Sequence, residues 1–173
     1  GMILAAMWPE RVRSLTVIAS VSELGPDTER IVIDWRRAAL EAPMSLYQTM
    51  LPTTFSPGFV AANPAVIELG EERLRSCDEG FFTAFAGLID AFRELDITPH
   101  LHEIRCPALI IAGEMDLLKP PRYSRIIAAG IADSELRVVP GAGHAVVLEQ
   151  PAWINRALVD FIGRQGPGSL RES

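Results

Sequence analysis

Two polar residues, each closing an apolar run, are the ones whose types and spacing could do chemistry. Pro107-Ala108-Leu109-Ile110-Ile111-Ala112-Gly113 leads through Glu114 and Met115 to Asp116, and Leu136-Arg137-Val138-Val139-Pro140 leads through Gly141-Ala142-Gly143 to His144. An uninterrupted apolar run closed by a glycine turn reads as a strand buried on both faces. As parallel neighbours, two such strands would bring both side chains to the carboxyl edge of the sheet, where open α/β sheets hold their ligands. There an imidazole takes a proton from an attacking hydroxyl and returns it to a leaving group. A carboxylate on its other ring nitrogen fixes the tautomer and steadies the imidazolium. Singly, an aspartate after a strand is a common turn residue and a histidine among glycines is an ordinary loop residue. Together, in this order and each behind a buried strand, Asp116 and His144 read as the orienting acid and the general base of a hydrolytic triad.

The third member has no counterpart. Ser14, Ser20, Ser22, Ser45, Ser56 and Ser76 all lack the glycine pair of a Gly-x-Ser-x-Gly turn. Other candidate sites are thinner. His100-Leu101-His102-Glu103 could turn two imidazoles to one side, but no third ligand stands at usable spacing, so it reads as a solvated linker. Trp35, Met44, Met50, Phe55 and Phe59 either line an acyl pocket or pack helices on one another, and both readings stand. Glu114 is an exposed turn residue. Cys77 and Cys106 fit neither a metal nor a disulfide pattern and read as structural thiols of a reducing compartment. No cofactor is implied.

The elements that must position the pair follow from pattern. Ile3 to Trp8 is apolar nearly all round, as in a helix buried on every side, and Ser14 to Ala19 is a short β-branched strand. From Val21 to His100 strand signals vanish. Asp27 or Thr28 caps a helix through Ile31, Trp35 and Leu40; Met44 to Leu51 is a second helix; Pro52 to Pro64 is a loop. Asp78 caps a helix to Leu95, with Phe81, Phe85, Leu88 and Phe92 on one face. Strand and helix then alternate, with helices over 121–129 and from Pro151, the latter facing inward through Ile154, Leu158, Phe161 and Ile162. Such alternation with short turns means a parallel sheet with right-handed crossovers.

Composition excludes other classes. The 173 residues carry 49% hydrophobic content and a net charge of −6 without runs of like charge, which fits one soluble domain and not a nucleic-acid binder. No apolar run approaches the length that spans a bilayer, and no leader pattern opens the chain, so the expected location is cytoplasmic. Gly1-Met2 is open to two readings, a residue left by a cleaved tag or an internal point of a longer sequence.

On these residues the chain resembles the C-terminal portion of an α/β-hydrolase. Trp8-Pro9-Glu10-Arg11-Val12 and the strand after it look like the segment following the nucleophile elbow; Pro107 to Asp116 looks like the strand and turn of the catalytic acid; Gly141 to His144, with Glu149 and Pro151, looks like the histidine loop and last helix. The resemblance implies an α/β fold: the last three parallel strands, crossover helices on both faces, and an inserted helical cap similar to that of esterases and enol-lactone hydrolases. The expected division is a core over 1–20 and 101–165, a cap over 21–100 and a disordered tail over 166–173. It implies an ester, lactone or related carbonyl substrate and the catalytic residues Asp116 and His144. The elbow serine and the amides of the oxyanion hole would lie at or before the position of Gly1, so the chain alone is expected to be a poor hydrolase or none. The alternatives are a non-catalytic binding or assembly module and one chain of a two-chain hydrolase. An uncovered edge at strand 14–19, or an uncovered helix 2–8, would favour a homodimer.

Overall fold

The computed structural model describes residues 1–166; the expected tail from Pro167 onward lies outside the described residues. Three parallel strands, β1 (Leu15–Ile18), β2 (Ala108–Gly113) and β3 (Ser134–Val139), form one sheet in the order β1-β2-β3, with Leu15 beside Ala108 and Ile110 beside Leu136. All six residues of β2 are buried because both faces are covered. Ala108 and Ile110 pack with Ala5 and Ala6 of α1 (Met2–Met7) and Ile127 of α7 (Pro121–Gly130), whereas Leu109 and Ile111 pack with Ile154, Ala157 and Phe161 of α9 (Pro151–Arg164). That alternation is the two-residue period of a pleated strand, and burying each such aliphatic side chain is worth about 1.5–3 kcal/mol.

Between β1 and β2 the chain is helical: α2 (Pro26–Glu41), α3 (Leu46–Thr54), α4 (Pro57–Ala62), α5 (Pro64–Arg75) and α6 (Glu79–Arg93). Val32, Trp35 and Ala39 of α2, Leu46 of α3, and Phe82 and Ile89 of α6 make a separate core, joined to the sheet side through Leu118. A short helix, α8 (Val146–Glu149), follows the loop that carries His144. No helix among the described residues is long and apolar enough to cross a membrane.

Several expectations are corrected. The α1 helix is buried on one face only: Ala5 and Ala6 meet the core while Met7 is 60% exposed, and Ile3, Leu4 and Trp8 are exposed with it. Beside it, β1 pairs with β2 alone among the described residues. The loop expected from Pro52 to Pro64 is mostly helix. Pro57 and Pro64 occupy first-turn positions, where a missing N–H costs nothing, and Ser56 caps α4 by accepting from the Phe59 amide. Asp78 caps α6 as expected, through the Phe81 amide, but the buried face is Phe82, Ala86 and Ile89. Of the expected face, Phe85 and Phe92 pack partly buried against the same core, whereas Phe81 is exposed and Leu88 69% exposed. Neither Asp27 nor Thr28 caps α2. Its N-cap is Gly25; Thr28 donates its hydroxyl to the Leu118 carbonyl at 2.8 Å, and Asp27 bonds Tyr123 and Arg122. Ile162, expected on the apolar face of α9, is exposed. The His100 segment is a 3-10 turn, Thr98–Glu103, whose Leu101 is a core residue.

Candidate active site

The two loops at the carboxyl edge are held to one another before either side chain is considered. Glu114 N–H donates to the Val139 carbonyl at 3.0 Å and Met115 N–H to the Ala142 carbonyl at 2.8 Å, so the β2 turn extends the ladder into the β3 turn. Glu114, exposed as expected, also accepts the Gly141 amide at 2.9 Å. Gly141 has φ +68°, a left-handed conformation that glycine adopts without penalty, and it turns the chain after Pro140. Gly113, expected to form a glycine turn, is the last residue of β2 and has a different task. A Cβ there would lie 2.2 Å from the Gly143 oxygen and 2.5 Å from the Ala142 oxygen. Its missing side chain is what lets the histidine loop pack on the strand end.

Asp116 is 2% exposed, and each carboxylate oxygen has one partner. Oδ1 accepts the Lys119 amide at 2.7 Å, which closes the turn ahead of α7. Oδ2 lies 2.9 Å from His144 Nδ1. With Nδ1 as the donor to this buried carboxylate, Nε2 is the nitrogen left to accept a proton, and the His144 side chain remains 22% exposed. The arrangement is a buried carboxylate bonded to one nitrogen of a partly exposed imidazole.

Lys119 adds a cation at the edge of this turn. Its ammonium lies 4.9 Å from the Phe92 ring centre on α6. Burial pushes its pKa below the ordinary lysine value, and the Asp116 charge opposes that shift.

The other candidate residues are distributed. Trp35 is buried in the core of the helical segment, with Met50 partly buried against the same cluster. Phe55 and Phe59 stack with centres 5.4 Å apart, and the Phe55 carbonyl carbon reaches the histidine loop at Gly143. Met44 is 52% exposed and lines a cavity of about 360 Å³ with Leu40, Pro43, Cys77 and Phe82, whose walls include neither Asp116 nor His144. His100 pairs with Glu103 at 2.9 Å, and no group of three metal-ligating side chains occurs among the described residues. Cys77 and Cys106 are free thiols, the second raised in pKa by burial. Sequence reasoning missed the contacts of Ser56 and Thr28, each made with a residue some ninety positions away or more; only the polar residue at a helix start signals them.

An aspartate and a histidine joined at the carboxyl ends of neighbouring parallel strands, with a helical connection between β1 and β2, are the features of an α/β-hydrolase core. The sequence matches the alpha/beta hydrolase family over residues 1–157, and the chain belongs to that family. RutD of Azorhizobium caulinodans, a protein named for carbamate hydrolysis, is 31% identical over 94% of this chain and 62% of its own length. An enol-lactonase for 3-oxoadipate from Acinetobacter baylyi is 29% identical over 91% of this chain and 57% of its own. Among solved structures, MGS-M2, an alpha/beta hydrolase enzyme from a deep-sea metagenome library of the Medee basin, superposes with a TM-score of 0.88 at 25% identity. That match covers 94% of this chain and 60% of MGS-M2. The chain thus spans about three fifths of the length of the relatives it matches.

Proposed function

We propose that this chain carries the acid–base half of a serine hydrolase acting on an ester, lactone, carbamate or related carbonyl compound. The observation that carries the reading is the 2.9 Å contact between His144 Nδ1 and a carboxylate buried to 2% exposure. In such a reaction a nucleophilic hydroxyl attacks the carbonyl carbon and His144 Nε2 takes its proton. The same proton then goes to the departing oxygen or nitrogen, and water repeats the cycle on the acyl group. Asp116 steadies the imidazolium throughout. The names of RutD and the enol-lactonase support the carbonyl class.

The nucleophile of this proposal stands on a segment outside the 173 residues, since no serine here has the glycine-flanked turn. The test is hydrolysis of p-nitrophenyl acetate by the purified chain and by His144→Ala. Equal, background rates are expected. A rate that falls in the variant would mean that a nucleophile within these residues completes the triad, and would overturn its assignment elsewhere.

A further inference from the structure

His144 is strung between two sets of contacts. On the sheet side, Ala142 and Gly141 are bonded to the Asp116 turn. On the other side, the residues directly flanking His144 are bonded to, or through, the joint between α3 and α4. Ala145 N–H donates to the Thr54 carbonyl at 2.8 Å. Gly143 N–H donates to Glu149 Oε2 at 3.1 Å, and that carboxylate also accepts the Ser56 hydroxyl at 2.6 Å on Oε2 and the Ser56 amide at 2.9 Å on Oε1. Ser56 is 3% exposed, and its oxygen accepts the Phe59 amide at 3.2 Å. The packing has no slack: a Cβ on Gly143 would meet Ser56 N at 2.6 Å and Glu149 Oε1 at 2.8 Å.

We propose that Glu149 and Ser56 are positioning residues for His144, lashing the histidine loop to the Thr54–Ser56 joint so that the imidazole keeps its alignment with Asp116. The proposal rests on the reading of His144 as the general base. Three donors converge on one side chain, and an ionised carboxylate accepts all of them because it has no hydrogen to present. Glutamine cannot replace it. Whichever way its amide is turned, the NH₂ group faces either the Ser56 amide or the Gly143 amide, donor against donor. A residue that merely filled space would tolerate that exchange. This coupling also gives the helical segment a route to the base, since displacement of residues 54–56 pulls on both neighbours of His144.

The experiment measures exchange of the His144 Nδ1 proton with water by NMR on the ¹⁵N-labelled chain, with thermal unfolding as a control for folding. Glu149→Ala and Glu149→Gln are both expected to speed exchange about tenfold or more, the factor corresponding to loss of one charge-assisted hydrogen bond. Ser56→Ala, which keeps the backbone contact, is expected to fall between them and the parent chain, and it carries the test should the Glu149 variants not fold. Parent-like exchange in the folded variants overturns the proposal. Asp116→Asn is the separate arm: unchanged exchange there overturns the acid–base reading itself, independently of Glu149 and Ser56.

Discussion

Gly113→Ala tests whether the acid–base pair is built by close backbone approach and not by side-chain choice alone. The new Cβ would sit 2.2 Å from the Gly143 oxygen, 2.5 Å from the Ala142 oxygen and 3.0 Å from the Ala142 carbonyl carbon. Carbon and oxygen normally keep about 3.3 Å apart, so the histidine loop must retreat by about 1 Å. It cannot do so freely, because Met115 N–H to Ala142 and Glu114 to Gly141 anchor it. Overpacking of this kind costs about 1–3 kcal/mol, and the upper end applies because the opposing atoms are backbone beside a fully buried strand. For a domain of this size about 3 kcal/mol lowers Tm by roughly 6–12 °C. A 1 Å retreat also exceeds what the 2.9 Å contact between His144 and Asp116 can absorb, so Nδ1 proton exchange quickens in the same variant. Calorimetry and NMR on one sample measure both. A Tm within about 1 °C of the parent, or a large Tm loss with parent-like proton exchange, would refute the argument that Gly113 sets the loop's seat.

Two further outcomes follow from contacts around the same turn. Thr28→Val removes the 2.8 Å bond to the buried Leu118 carbonyl while keeping the shape of the side chain, and is expected to cost about 1–3 kcal/mol in urea unfolding. Lys119→Met is expected to stabilise the chain near neutrality, and the gain should shrink as pH rises. The sign follows from linkage: burial holds the folded-state pKa below 10.5, so between that lowered value and 10.5 the unfolded chain binds the extra proton and the parent gains stability with pH. Unfolding of both chains across an alkaline pH series reads the difference directly, and a gap that widens with pH would contradict it.

The pair was legible in the sequence because two independent signals coincide at each member. An unbroken apolar run marks β2, and a polar residue one short turn later is where such a strand delivers chemistry. The β3 strand, expected to be buried on both faces, is only partly buried except at Val139, because it lies at the sheet edge and its run is broken by Arg137, yet its turn leads to His144. The start of β3 was less legible, since Ser134 and Glu135 join the strand through their pairing with Ala108 and Leu109 and not through any apolar character. Pro52, Pro57 and Pro64 read as loop punctuation, yet Pro57 and Pro64 open helices and Pro52 lies inside α3, since a proline in a first turn starts a helix as readily as it ends one. In α6 two stripes of helical period overlap, and ring size drew attention to Phe81 and Leu88. The neighbouring core of α2 and α3 takes Phe82, Ala86 and Ile89 fully and Phe85 and Phe92 in part. Tertiary packing decides between stripes that local periodicity leaves equal.

The geometry also explains why the contact between Asp116 and His144 is rigid. Asp116 hangs from β2, the central strand, and His144 from β3, which like β1 has a single neighbour among the described residues, so the histidine loop stands at a sheet edge and is held by its own loop contacts. Every contact that sets the 2.9 Å distance comes from β2, β3, the loops after them, and the joint near Ser56. A general base built this way contributes about 10²–10⁴ to a proton-transfer step, but only toward a hydroxyl placed within its reach. Each missing oxyanion donor costs a further factor of about 10²–10³. In the proposed function, then, the contacts that orient the base are contributed by this chain. On that proposal a hydroxyl placed within reach of Nε2 would meet an imidazole whose other nitrogen Asp116 already holds.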